Sequence, residues 1–420
     1  MNAYAGYYLD EKKLKSSSSG GVASAISEAI IDRGGIVYGA VYSEDFHSVL
    51  YGYAEKKNEL WKFKGSKYVY VNKYVMKDGD KISVYKDVIS EIKKERIVLF
   101  TGLGCDIAYL KKIVRKEAVD AHKLFTIELM CDGVTDELIQ REFVLNIEKM
   151  YRTKVIDFNI RYKEEGWVPA YIYAKFENGK EYKQLLSSSE YGFASLNYKK
   201  KACYECQFKG ENHQGDIIAA DFWGCRPGMK EYNQNGVSLI LTLSDKGNIL
   251  LNYLDREQFY LRKTDAQYAL FCNPRYFTAH ERYEKWDLFD SIIRKKGLHK
   301  AVKVCAELSV PDRFTGVESD ELVLWGTGRC FNQYVAMIKE MCSISLVVDS
   351  DEKKWGKELE CGFICQSPNI LKGKEDIFVL IMIENVSSAF QIANKLLDMK
   401  IGKFDHISNW LFYADMFEKV

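Results

Sequence analysis

Apolar positions fall into short runs separated by glycine-rich turns, and their period changes along the chain. Val22, Ile26, Ile30 and Ile31 recur at helical spacing behind the small-residue stretch Lys15–Gly21, so a loop opens a helix over Val22–Asp32. Gly34 and Gly35 stop it, and Ile36–Tyr42 reads as a strand. The runs Ile97–Thr101 and Leu124–Met130 are each followed by a turn and a helical pattern, Ile107–Arg115 and Asp136–Tyr151. Two successive strand–turn–helix units predict parallel strands covered by helices. Beyond Tyr151 the period shortens: Val155–Arg161, Ala170–Phe176 and Glu181–Leu186 read as antiparallel strands, with Asn178-Gly179 as a hairpin turn. Ser187–Gly215 has no clear period and predicts an extended loop, a feature that in compact domains usually serves function. Strands return at Asp216–Phe222 and Val237–Leu243, and residues 246–312 read as mostly helical and connective. From Glu321 strand, loop and helix alternate again: Leu322–Trp325, Gly326-Thr327-Gly328, Cys330–Met341, Ser343–Val348, Ile377–Ile383 and Val386–Met399.

This pattern predicts a mixed α/β and α+β protein. A first domain with a mixed sheet spans 1–245, a helical connector 246–315, and a small Rossmann-like α/β domain 316–420. The length of 420 residues agrees, since domains run to roughly 100–200 residues. With 47% hydrophobic and 28% charged residues the composition is globular and excludes a disordered or fibrous class. Lys and Arg total 60 against 59 Asp and Glu, so no global field draws the chain to nucleic acid or an acidic membrane. Met1–Asp10 lacks the basic start and apolar core of a signal peptide, which predicts a cytoplasmic protein. Apolar runs such as Val237–Leu243 fall far short of the roughly 20 residues that cross a bilayer, so no transmembrane segment is expected.

The 11 cysteines, odd in number and without an export signal, do not suggest a disulfide framework. Cys203 and Cys206 form a C-x-x-C, whose turn brings two sulfurs to one side, but no second such pair follows as in a zinc ribbon. Cys105 and Cys131 each follow a predicted parallel strand, and ligands bind beyond the carboxyl ends of such strands. Two readings stand: the four thiols converge on an iron–sulfur cluster or a structural zinc, or Cys105 and Cys131 are small buried residues. The Ser16–Gly21 loop likewise is either an anion cradle at a helix start, suited to a dinucleotide pyrophosphate, or an ordinary helix N-terminus. Gly65-Ser66-Lys67-Tyr68 adds a cation and a hydroxyl in a loop.

The order Ser17-Ser18-Ser19-Gly20-Gly21, Gly34-Gly35-Ile36-Val37-Tyr38-Gly39-Ala40, Gly65-Ser66-Lys67-Tyr68-Val69, Leu99-Phe100-Thr101-Gly102 with Cys105, Cys131 with Gly133-Val134, Cys203-Tyr204-x-Cys206 and Asp216-Ile217 to Asp221-Phe222-Trp223-Gly224 resembles the coenzyme F-420 hydrogenase/dehydrogenase beta-subunit family over residues 3–245. The resemblance implies an iron–sulfur flavoprotein with FAD or FMN and a 4Fe-4S cluster. It makes Cys105, Cys131, Cys203 and Cys206 the cluster ligands. It makes Ser18, Ser19, Gly20, Gly21, Lys67, Tyr68, Thr101 and Gly102 the flavin site. Many relatives carry an N-terminal ferredoxin-like segment; this chain starts after the point where that would end, so a separate ferredoxin or other one-electron donor is expected. Two motifs depart from the family: Thr-Gly-x-Pro-Cys-Gln reads Thr101-Gly102-Leu103-Gly104-Cys105-Asp106, and Cys-His-Gly reads Cys131-Asp132-Gly133. Asp132 is then the candidate proton donor in place of a histidine.

In the C-terminal unit Gly326-x-Gly328 lies at a strand-to-helix turn and Asp349 ends the next strand, the layout that binds a nucleotide ribose. A Rossmann-like packing module without ligand fits the same pattern. The unit resembles domains appended to bacterial cell-surface polysaccharide enzymes, which implies a sugar or nucleotide-sugar pathway and makes a nucleotide-sugar a candidate substrate. The 6 histidines are scattered without metal-ligand spacing, and Cys225, Cys272, Cys305, Cys330, Cys342, Cys361 and Cys365 read mostly as core. The segment Arg161-Tyr162-Lys163 to Gly166-Trp167 also resembles a family segment, and a solvated charge run explains it equally well. The resulting expectation is an oxidoreductase passing electrons through cluster and flavin to an organic substrate in surface-polysaccharide or sugar metabolism. The alternatives are a non-catalytic electron-transfer subunit and a zinc-containing nucleotide-sugar-binding protein.

Overall fold

Ala3 and Ala5 alternate with larger residues along the N-terminus, and small inward side chains suit a strand with neighbours on both sides. In the computed structural model, which describes residues 1–163, 166–307, 321–341, 343–359, 361–374, 376–383 and 386–407, this segment is strand β1 (Asn2–Tyr8). The chain divides into two units, Met1–Leu186 with Ala194–Trp286, and Ser187–Phe193 with Asp287–Val420.

In the first unit β1 is followed by β2 (Ile36–Tyr42), β3 (Val49–Ala54), β4 (Val71–Asn72), β5 (Tyr74–Lys77), β6 (Asp80–Ser83), β7 (Val98–Gly102), β8 (Leu124–Leu129), β9 (Val155–Tyr162), β10 (Tyr171–Phe176), β11 (Glu181–Leu185), β12 (Ile217–Asp221), β13 (Ser238–Thr242) and β14 (Phe259–Thr264). Nine of them form one sheet in the order β14-β1-β13-β12-β8-β7-β2-β3-β4, while β9 to β11 and the β5–β6 hairpin stand apart from it. The centre, β12, β8, β7 and β2, is parallel, as the strand–turn–helix units predict. Antiparallel strands flank it, β13, β1 and β14 on one side and β3 on the other. Both faces are covered. Val22, Ile26 and Ile30 from the helix Val22–Ile31 pack on one with Leu250 and Leu251, and Ala269, Leu270 and Tyr276 pack on the other. Each large apolar side chain so buried contributes about 1.5–3 kcal/mol.

Two sequence expectations change. The stretch Ser187–Gly215 is not an extended loop: it contains the helices Glu190–Asn197 and Lys201–Tyr204. Their partners are remote in sequence, as where Tyr198 stacks on Trp286 at 5.1 Å and the Trp286 Nε1 donates to the Lys199 carbonyl at 2.7 Å. The stretch read as helical and connective supplies β14, which completes the sheet edge beside β1. Phe259 there is buried against Tyr8, a pairing no local period announces.

The second unit holds β15 (Glu321–Trp325), β16 (Ile344–Val348), β17 (Cys365–Gln366), β18 (Ile377–Ile381) and β19 (Phe404–His406), with helices Arg329–Met341 and Val386–Asp398. All pairings are parallel, in the order β17-β16-β15-β18-β19. That is a doubly wound sheet whose order reverses beside β15, the topology of a Rossmann-like domain. The boundary expected at 315/316 lies outside the described residues.

Candidate functional site

Strands β7 and β8 are parallel neighbours, with Gly102 opposite Glu128, and Cys105 and Cys131 follow their carboxyl ends. Cys105 stands in the first turn of the helix Gly104–Lys116 and keeps an exposed edge; Cys131 is half-buried in the turn after β8. Cys203 lies in the short helix Lys201–Tyr204, with Cys206 just beyond it, both half-buried. Gly133 lets these segments meet. Its φ is +95°, and a Cβ there would stand 3.2 Å from the Cys203 Cβ. Desolvation pushes the Cys105 thiol up to about 12, with the charge of Asp106 and the thiols of Cys131 and Cys203 adding to it against Lys73. Desolvation likewise pushes Cys131 up to about 11, with Cys203 adding and the Gly133 N–H, Lys209 and Lys199 opposing. Three of the four predicted thiols are thus within electrostatic reach of one another. Among the described residues no group of three or more His, Cys, Asp or Glu closes into a metal-holding set.

Several contacts pin the cysteine segments together. Lys209 donates to the carbonyls of Cys131 at 2.6 Å and Arg275 at 2.7 Å, and the backbone N–H of Lys200 donates to Val134 at 2.8 Å. Glu128, buried near the end of β8, accepts the N–H groups of Gln214 and Gly215 at 2.6 and 2.8 Å. Its other oxygen meets His213 Nδ1 at 2.6 Å, while His213 Nε2 faces the Tyr276 carbonyl at 3.1 Å. Both ring nitrogens of His213 thus face oxygens, which ties the segment after Cys206 to β8 and to Tyr276.

Asp132, expected as the proton donor, is a hub of nitrogen partners: Arg275 Nε at 2.5 Å, His280 Nδ1 at 3.1 Å and Lys199 Nζ at 3.4 Å. Burial pushes its carboxyl up, but the hydrogen bond from His280 and the charges of Lys199, His280 and Arg275 outweigh it and hold the group below the usual carboxylate range. An aspartate so held is ionised at neutral pH and accepts hydrogen bonds from its neighbours. His280, which sequence spacing does not single out, is brought to the site from 148 residues away.

The flavin-cradle residues are dispersed among other tasks. Ser19 donates to the Val237 carbonyl at 2.8 Å, and Ser18 is half-buried. A Cβ on Gly20 would stand 2.0 Å from the Gly6 carbonyl and 2.6 Å from the Ser238 nitrogen. Gly21, at φ +91°, caps the helix Val22–Ile31 against the Tyr8 ring. Both glycines therefore serve close packing of the chain on β1 and β13. Lys67 folds back to donate to the carbonyls of Phe63, Lys64 and Gly65 at 3.2, 2.8 and 3.1 Å, and burial pulls it down to about 7. Tyr68 accepts from Arg161 at 3.1 Å. Thr101 is half-buried at the end of β7, and a Cβ on Gly102 would meet the Phe100 ring and the Tyr51 hydroxyl at 2.8 Å.

The charge run at 161–167 is not solvated: Arg161, Lys163 and Trp167 are buried, while Glu164 and Glu165 lie outside the described residues. In the second unit Asp349, expected to hold a ribose, is committed to its own loop. Its Oδ2 accepts from Thr327 N at 2.7 Å, Thr327 Oγ1 at 2.6 Å and Lys354 Nζ at 3.0 Å, and its Oδ1 from Asp351 N at 2.8 Å. Of the cysteines read mostly as core, Cys225, Cys305, Cys330 and Cys365 are buried, Cys272 and Cys361 half-buried, and Cys342 lies outside the described residues.

Among the described residues no helix is long and apolar enough to cross a membrane. No curated protein matches the chain. Among solved structures the chain is similar to one from the xenon-derivatised F420-reducing nickel–iron hydrogenase complex of Methanosarcina barkeri, at 15% identity and TM-score 0.43, over 75% of this chain and 92% of that one. Residues 318–407 match the family described as "C2185-like, N-terminal". Residues 95–267, which hold Cys105, Cys131, Cys203 and Cys206, match the family described as the C terminus of the coenzyme F420 hydrogenase/dehydrogenase beta subunit.

Proposed function

We propose that the protein is an iron–sulfur flavoprotein that takes electrons from a ferredoxin or similar one-electron donor and delivers them to a small organic molecule. The observation that carries the reading is that Cys105 and Cys131 follow the carboxyl ends of two adjacent parallel strands while Gly133, two residues after Cys131, packs closely on Cys203, with Cys206 completing the C-x-x-C. The donor set suits a 4Fe-4S cluster held by four thiolates. When bound, the cluster stores single electrons and FAD or FMN supplies two-electron chemistry.

The chain's own residues prepare the place. Lys73, Lys199 and Lys209 lay positive charge beside the thiols and favour their ionised form on ligation. Gly133 permits close approach, and the His213–Glu128 pair fixes the segment after Cys206 to β8. Asp132, next to Cys131 in the chain, holds the Nδ1 of His280 at hydrogen-bond distance. Ser18, Tyr68 and Thr101, with the loops carrying Ser19 to Gly21, Lys67 and Gly102, form the region where we place the flavin. Because Asp349 is engaged by Thr327 and Lys354, nucleotide-sugar binding at the Gly326 loop is not part of this reading.

Anaerobic purification tests it. The expected product is brown-yellow, releases flavin on denaturation and holds about four irons per chain. A colourless protein without iron overturns the proposal.

A further inference from the structure

Arg161, Lys163 and Trp167 are 8%, 6% and 8% exposed. Arg161 Nη1 donates to Asp221 Oδ2 at 2.9 Å and to the Tyr68 hydroxyl oxygen at 3.1 Å, but its Nη2 is buried without a partner. Trp167 Nε1 is also buried without one. Lys163 Nζ donates to the carbonyls of Leu14, Ser19 and Asn235 at 3.1, 2.7 and 2.5 Å, so its hydrogen bonds meet no carboxylate. Arg161 and Lys163 therefore share one carboxylate, Asp221, in their surroundings. Burial pulls Lys163 down to about 7 and Arg161 pushes it the same way, with Asp221 in opposition. A buried charge without a counter-ion and buried donors without acceptors are each unfavourable, and an anion with acceptor oxygens relieves both. Tyr68 accepts from Arg161 and keeps its own proton to donate. Trp223 forms the open wall: it is 45% exposed, stacks on Trp167 at 5.0 Å, and lies 5.7 Å from the Arg161 guanidinium.

We propose that Arg161, with Tyr68 and Trp167 beside it, seats an oxyanion, a carboxylate or a phosphate, carried by a small molecule that lies against Trp223. Guanidinium suits such a group because its fork presents two donors to paired oxygens, and Arg161 uses only one of its terminal nitrogens within the protein. This deepens the redox reading and rests on it for the ligand's role: the oxyanion belongs to an acidic substrate or to the flavin's own phosphate. The site adjoins the proposed flavin region through the Lys163–Ser19 and Arg161–Tyr68 hydrogen bonds.

The test uses the full chain. The anaerobically purified protein is titrated with inorganic phosphate and with acetate against chloride at equal ionic strength, and tryptophan fluorescence and Tm are read. Flavin-free protein is then titrated with FMN and with riboflavin. Saturable quenching with a rise in Tm in phosphate or acetate, weakened about tenfold in Arg161→Lys, assigns the oxyanion to a substrate. A preference for FMN over riboflavin that disappears in Arg161→Lys assigns it to the flavin. Arg161→Lys keeps a cation facing Asp221, and Trp223→Ala, on the exposed side, provides a second variant in which binding must also weaken. If neither anion acts on the wild type and FMN and riboflavin bind alike, or if both variants bind every probe as the wild type does, the proposal is overturned. Absence of flavin and iron from the purified protein removes the redox reading and leaves the phosphate and acetate titrations to decide this one.

Discussion

The turn that carries Cys131 can pack against Cys203 because Gly133, in a left-handed conformation, has no Cβ to crowd the Cys203 Cβ. Their partly buried, non-core surroundings make the first prediction specific. Cys203→Ser or Cys206→Ser should remove the cluster and leave the far-ultraviolet circular dichroism near that of the wild type, whereas Cys272→Ser should keep full iron. Iron per chain is the measurement, and full iron in both the Cys203 and Cys206 variants would remove the cluster assignment. Asp349 offers a second test. Burial raises its carboxyl, but Thr327, the Asp351 N–H and Lys354 more than offset this, so its folded value lies below the ordinary one. A depressed carboxylate stabilises the fold above its unfolded value near 4 and loses that contribution as pH falls through the folded value. Asp349→Asn should therefore cost about 1–3 kcal/mol at neutral pH, and the gap to wild type in urea denaturation should narrow in acid. A gap independent of pH would show that the ionised form is not what matters.

At the scale of elements, the Ser/Gly loop is bound to the sheet as tightly as to its own helix. Gly20 sits against β1 and β13 with no room for a side chain, so its replacement acts on the fold before it acts on any cofactor. Gly20→Val should destabilise the chain by at least ~2 kcal/mol, while Ser18→Ala should change stability by less than ~0.5 kcal/mol. Thermal and urea denaturation would separate the two. A Gly20→Val protein of wild-type stability that merely lacks flavin would show that this glycine serves the cofactor and not the fold. The pairing of β1 between β13 and β14 explains why the loop is so placed: the N-terminus is an interior strand, and the loop that follows must turn under it.

For the whole molecule, each unit has its own sheet and core. Removal of residues 316–420 should accordingly leave iron and flavin per chain unchanged, though substrate turnover should fall. Folded protein lacking flavin would show that the Gly326-Thr327-Gly328 loop holds the cofactor. Electron entry is tested by stopped-flow reduction of the flavin, where a reduced ferredoxin should act quickly and NADPH alone poorly. Rapid stoichiometric reduction by NADPH would overturn the proposed donor.

What the sequence by itself determined is what local period and turn chemistry carry. The parallel centre of the sheet, the helices after β7 and β8, the Asn178-Gly179 hairpin and the alternating C-terminal unit all follow from spacing that a few neighbouring residues express. The positions of Cys105 and Cys131 at strand ends were legible for the same reason. What only the tertiary structure decided depends on partners far apart in the chain. The edge strand β14, the helices within 187–215, the burial of Arg161 and Lys163, and the pairing of His280 with Asp132 have no local signature. A charged residue reads as solvated until the fold supplies its acceptors: three carbonyls for Lys163, and one carboxylate with an oxygen of Tyr68 for Arg161. Side-chain type sets what a group can bind, but burial and long-range contact set what it does bind, and those are properties of the folded chain.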